Sequence, residues 1–181
     1  MTKLEDNLMR DMRFKKIKEG DTMNELGTLH ELNGRYVIRF EHFFSDKPEA
    51  IFQFVTNSNY FSQWYPFATG EMDLRIGGKI SFDDGEGSQY TATITALEES
   101  YLLAFSEMDD LIRIELLEED KGCRMVFTHT FDDVAWTVQT AIGWHNCLEV
   151  FVQLVHGQPI TWPDDSSKLR KIYSEAFNRE K

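Results

Sequence analysis

The chain is poor in the features that mark several large classes of protein. Its two cysteines, Cys123 and Cys147, are too few and too far apart for a disulfide framework, which points to free thiols in a reducing cytoplasm. No apolar run approaches the roughly 18 residues that a helical membrane span needs. The mixed charges from Lys3 to Lys18 do not lead into the apolar stretch of a signal peptide either. Basic residues are scarce, with 19 Lys and Arg against 31 Asp and Glu and a net charge of −12. The excess lies in residues 35–157, which carry 8 basic and 20 acidic groups, while the segments on either side are near neutral. A body of that sign repels phosphate backbones and anionic head groups, so neither nucleic acid nor a membrane surface is an expected partner.

Recognisable catalytic and metal-binding spacings are missing as well. There is no HxH, HExxH or paired CxxC, no GxSxG nucleophile turn, and no GK[ST] after Gly77-Gly78. Asp83-Asp84-Gly85-Glu86-Gly87 is acidic enough to suggest a calcium loop but lacks the ligand periodicity of one, and it reads as a solvated hairpin tip. Cys147 falls on the apolar side of a helix, where a thiol is an inert small hydrophobe. No metal, cofactor or catalytic residue is therefore assigned. His129 and His145 are the two imidazoles that a strand and a helix could bring together as a base or a metal pair.

The residues that are present describe an α+β domain. Leu4, Leu8, Met9, Met12 and Ile17 recur at helical spacing and predict a short N-terminal helix. Arg35–Phe44 alternates polar and apolar side chains as a half-buried strand does. Ser45-Asp46-Lys47-Pro48-Glu49 offers capping side chains and an early proline before a helix over 47–56, and 57–64 continues as a second short helix or turn. From Asp73 to Phe131 the expected strands are 73–74, 79–82, 90–97, 101–106, 111–117 and 123–131, separated by turn clusters. Ala141, Trp144, Leu148, Phe151, Val152 and Val155 then mark a long helix closed by Gly157 and Pro159, and Leu169, Ile172, Tyr173, Ala176 and Phe177 mark a last amphipathic helix. The expected units are an N-terminal extension over 1–34, a domain over 35–157 and a helical tail over 158–181.

Ser45 to Phe52, Trp64, Gly77-Gly78-Lys79-Ile80, Leu103-Ala104-Phe105, Thr128-His129-Thr130-Phe131 and Gly143-Trp144 with Leu148 and Leu154 together carry a resemblance. In order and spacing they resemble homologues of the activator of the ninety-kilodalton heat-shock protein ATPase, a group within the START-like, or helix-grip, superfamily. The resemblance covers about residues 35–157 and implies a curved antiparallel sheet around a long C-terminal helix with a hydrophobic cavity between them.

A cavity of about 300–1,000 Å³ is the size that holds small apolar molecules. Aromatic residues make up 13% of the chain, and the inward-phase positions are the places to look for its walls. The expected ligand-binding lining is Trp64, Phe67, Phe82, Tyr90, Phe105, Ile114, Phe127, His129, Trp144 and Phe151, with Tyr90 and His129 as polar anchors. The leading expectation is a non-catalytic domain that binds a small hydrophobic or amphipathic molecule. Two rivals accompany it. One is a protein-interaction domain of the chaperone-regulator kind, or a homodimer formed through the Leu4–Ile17 or Leu169–Phe177 stripe. The other is a cyclase or aromatase that uses His129 as base.

Overall fold

The computed structural model describes residues 26–178. Eight strands form one antiparallel sheet: β1 Thr28–Leu32, β2 Arg35–Phe44, β3 Ala68–Met72, β4 Lys79–Asp83, β5 Gln89–Glu98, β6 Leu102–Glu107, β7 Asp110–Glu119 and β8 Gly122–Phe131. Helices α1 Pro48–Thr56 and α2 Ser58–Trp64 lie between β2 and β3, and a 3-10 turn at Val134–Trp136 precedes α3 Thr137–Val155 and α4 Ser167–Asn178. The order across the sheet is β1-β2-β8-β7-β6-β5-β4-β3, so all strands after β2 form a meander whose last member returns to pair with β2. Phe40 stands opposite Phe127 in that β2–β8 pairing. Among the described residues no helix is long and apolar enough to cross a membrane.

Alternation decides which face each strand buries. Ile38, Phe40 and Phe44 of β2, Ile112, Ile114 and Leu116 of β7, and Cys123, Met125 and Phe127 of β8 all point inward and are buried. On α3, Ala141, Trp144, Cys147, Leu148 and Phe151 form the buried stripe that fills the concave side. Phe151 meets Trp64 at 4.9 Å between ring centroids and Phe44 at 5.8 Å, and Trp144 meets Phe127 at 4.6 Å. Each large side chain so buried contributes about 1.5–3 kcal/mol to folding. The Trp64 indole N–H donates to the Phe54 carbonyl at 2.9 Å, which ties α2 to α1.

Several local expectations need correction. The strand expected at 73–74 lies at Ala68–Met72, and Asp73 begins the loop whose backbone oxygen would sit 1.9 Å from a Cβ on Gly78. That contact requires glycine there, while Gly77 supplies a positive φ of 82°. Neither Ser45 nor Asp46 caps α1; the cap position is Lys47, which makes no side-chain bond, and Pro48 opens the helix. β1 was not expected, because His30 and Glu31 interrupt its apolar alternation; it is an edge strand joined to β2 through Asn33-Gly34, both at positive φ. The sheet therefore starts ahead of residue 35. The expected helix over Leu4–Ile17 lies outside the described residues.

The stripe on α4 is covered by this chain itself. Tyr173 and Phe177 are buried, and the Tyr173 hydroxyl accepts the Gly27 backbone N–H at 3.0 Å and bonds to His145 Nδ1 at 2.9 Å. The acidic tip between β4 and β5 is likewise self-contained. Asp83 Oδ1 accepts from the Gly85 N–H, and Asp84 Oδ1 accepts from the Glu86 and Ser88 N–H groups.

Candidate functional site

A cleft of about 170 Å³ opens at one end of the sheet. Five stretches that are distant in sequence converge on it. Tyr65, Pro66 and Phe67 come from the link between α2 and β3, Tyr90 from the start of β5, and Glu107, Met108 and Asp110 from the β6–β7 hairpin. His129 near the end of β8 and Trp144 on α3 complete the wall. The volume corresponds to about six waters at ~30 Å³ each.

Its polar groups form two connected chains. In one, the Tyr65 hydroxyl donates to Glu107 Oε2 at 2.7 Å, and the Tyr90 phenol lies within the field of the same carboxylate. Burial together with the charge of Glu107 holds both phenols well above the ordinary tyrosine range, so they stay protonated and act as donors. In the other, the Trp144 indole N–H donates to His129 Nδ1 at 2.7 Å, and His129 Nε2 lies 2.9 Å from Asp110 Oδ2. Indole nitrogen is a donor only, so Nδ1 must be the acceptor and the imidazole proton resides on Nε2, directed at Asp110. Both ring nitrogens are engaged.

The rim is apolar and conformationally unusual. Phe67 is 56% exposed and Met108 is 82% exposed. Both have left-handed backbones, with φ of 62° and 54°. Phe67 is held there because its carbonyl accepts the Asp83 N–H at 2.8 Å, and Met108 because its carbonyl accepts the Ser106 hydroxyl at 3.1 Å. Met108 is the first residue of a two-residue hairpin loop between the paired Glu107 and Asp110, where a glycine or asparagine is the usual occupant.

Four of the expected lining residues, Phe67, Tyr90, His129 and Trp144, do border this cleft. The other six do not. Trp64, Phe82, Phe105, Ile114, Phe127 and Phe151 have almost no surface that water could reach among the described residues, and they are core. Among the described residues, the space between sheet and helix is packed with these side chains where a larger cavity was expected. His129 and His145 are not brought into one site, since His145 bonds to Tyr173 and packs edge-on to Phe40. Tyr65, Pro66, Glu107, Met108 and Asp110 were missed. A bulky Met in a two-residue turn flanked by acids is the signal that could have found three of them. Thiol chemistry is disfavoured, because burial pushes Cys147 up to about 12 and Cys123 up to about 11.

Comparison with known proteins then supplies a lineage. The family model described as activator of Hsp90 ATPase homolog 1-like protein matches residues 45–156. No curated protein matches the chain. Among solved structures, the conserved protein of unknown function EF2215 from Enterococcus faecalis is 20% identical, with a TM-score of 0.74 over 86% of this chain and 92% of that one. CalU16 from Micromonospora echinospora is 17% identical, with a TM-score of 0.64 over 87% and 98% of the two chains. The AHSA1-like protein from Aeromonas hydrophila is 20% identical, with a TM-score of 0.58 over 67% and 92%. At these identities the structural likeness speaks for the fold, and the family match spans most of the helix-grip body from the β2–α1 turn to the end of α3. The chain belongs to the AHSA1 family of activator of Hsp90 ATPase homolog 1-like proteins, within the START-like superfamily.

Proposed function

We propose that the protein is a non-catalytic binding domain that holds a small amphipathic molecule in the cleft between Phe67, Met108 and Trp144. The observation that carries this reading is the rim. Left-handed backbone at a bulky residue costs about 1–3 kcal/mol, and such residues cluster at ligand clamps because the surrounding structure holds them there for use. Asn33 and Ser100 share the positive φ, but Asn tolerates it and neither borders the cleft. Phe67 and Met108 combine the strain with exposed apolar surface and face the same space. Aromatic walls below the rim supply apolar contact, and the carboxylates beside them fix orientation, which is the usual division of labour in a ligand site.

A cyclase-type reaction with His129 as base is less well supported. Proton abstraction needs a free lone pair on the imidazole, and the lone pair on Nδ1 already accepts the Trp144 N–H.

Native mass spectrometry of the protein purified from its own host tests the reading. A bound small molecule is expected on the wild-type chain, and it is expected to be lost from a Phe67→Gly, Met108→Gly double variant that folds normally. A wild-type chain of bare polypeptide mass, with a Trp144 indole resonance unmoved by neutral and charged aromatic fragments alike, would overturn it.

A further inference from the structure

We propose that the cleft selects an organic cation, a protonated amine on a short apolar stem, with the ammonium group between Glu107 and Asp110 and the stem against Trp144 and Phe67. This rests on the cleft being a ligand site and adds the chemical class of its occupant.

The first argument is an inventory of donors. The side-chain donors on the wall are the hydroxyls of Tyr65 and Tyr90, the indole N–H of Trp144 and the Nε2–H of His129. Three already have an acceptor within the wall: Glu107 for the Tyr65 hydroxyl, His129 for the indole, and Asp110 for the imidazole, while the Tyr90 hydroxyl lies in the field of Glu107. Among the described residues no Lys or Arg borders the cleft. The capacity left for a guest belongs mainly to the carboxylates, since an ionised carboxylate offers about four lone-pair positions across its two oxygens. A guest that brings its own donors is therefore matched, whereas a guest that needs several donors finds three of the four wall donors already engaged.

The second argument is charge. Two carboxylates border a partly enclosed space, and a third, Asp84, is close enough to act on Tyr90. A carboxylate or phosphate ligand would have to sit beside like charges. A cation meets attraction there, and the approach from solution is favoured by the acidic body around it. The aromatic faces of Tyr65, Tyr90 and Trp144 add the electron-rich surface that ammonium groups prefer.

Three near-isosteric probes separate the outcomes: benzylamine, benzyl alcohol and benzoate, each titrated into the full chain. The Trp144 indole N–H resonance, assigned with Trp144→Phe, is the readout. Benzylamine is expected to move it saturably, more tightly at low salt than at high, while benzoate leaves it in place. Glu107→Gln and Asp110→Asn are each expected to weaken benzylamine by about tenfold, the worth of a charge-assisted hydrogen bond, with benzyl alcohol unchanged. If Glu107→Gln fails to fold, Asp110→Asn carries the comparison from the hairpin end. Benzyl alcohol or benzoate binding as tightly as benzylamine, or benzylamine indifferent to both substitutions, would overturn the cation assignment and leave the cleft as a ligand site. Silence from all three probes would overturn the cation assignment, and together with a bare polypeptide mass for the host-purified chain it would overturn the ligand-site reading too.

Discussion

Met108 and Ser100 form a natural experiment at the scale of single residues. Both have positive φ in hairpin turns, but only Met108 borders the cleft. Relief of a left-handed conformation gains about 1 kcal/mol, and the added freedom of glycine in the unfolded chain takes back roughly 0.5 kcal/mol. Met108→Gly and Ser100→Gly are both expected to raise stability in urea by about 0.5 kcal/mol. Only Met108→Gly should weaken binding in the cleft, as read by titration of the same indole resonance. A rim residue that lowers stability and raises affinity is what a functional site predicts, whereas equal behaviour of the two variants would mark Met108 as an ordinary turn residue.

At the scale of elements, α4 is joined to the body by its buried Tyr173 and Phe177, by Arg170, which donates to Gln139 Oε1 of α3 at 2.7 Å, and by the Tyr173 hydroxyl. Tyr173 links the start of β1 at Gly27 to His145 on α3, and a Cβ on Gly27 would lie 2.5 Å from the Phe40 ring. Tyr173→Phe leaves the Gly27 N–H without its buried acceptor, a loss of about 1–3 kcal/mol. Hydrogen exchange should show α4 and β1 opening together in that variant, ahead of the β7–β8 centre of the sheet. Unchanged protection of β1 would show that the bond is incidental.

The same scale explains what could be read from the sequence. Strands from Lys79 to Phe131 and the long helix were legible because one face of each is continuously apolar, and periodicity reports that directly. β1 was not legible, because an edge strand with His30 and Glu31 need not alternate. The cleft was mostly hidden. Alternation tells inside from outside but not which end of a strand a residue occupies, and the wall is built from strand ends, a hairpin and a Tyr-Pro-Phe link. Phe105, Phe127 and Phe151 were the plausible lining because they point inward, yet Phe105 packs on Phe61, Phe127 on Trp144, and Phe151 on Trp64 and Phe44, so they are core. Tyr90, His129 and Trp144 point the same way at the end where the packing stops.

The whole molecule inherits a pH window from its buried titratable groups. Burial, with a contribution from His156, lowers His42 to about 4, and burial also lowers His145. The folded protein holds His42 neutral while the unfolded chain takes up a proton below about 6.5, so stability falls as pH drops from there toward 4. With the ring partly exposed, the loss is about 1–2 kcal/mol. At the other end, Cys123, Cys147 and Tyr173 are raised to about 11, about 12 and about 12, so the folded state keeps protons that the unfolded chain releases. Stability is therefore expected to decline again above about pH 9. Melting temperatures across pH 4 to 10 check both flanks, and His42→Phe should make the acid one shallower while leaving the alkaline one unchanged.

The return of β8 to β2 also sets an order of events during synthesis. Phe44 pairs with Cys123 and Tyr36 with Phe131, so β2 has no partner on that side until β8 has been made. At about 5–20 residues per second, the gap from residue 44 to residue 131 takes about 4–17 s. Through that interval the nascent β1–β2 hairpin presents an open edge bearing Ile38, Phe40 and Phe44. Arg39 and Glu41, bonded to each other at 3.0 Å in the finished sheet, lie at the centre of that edge. Before the sheet exists they are the charges that discourage one unfinished chain from pairing with the next on a polysome.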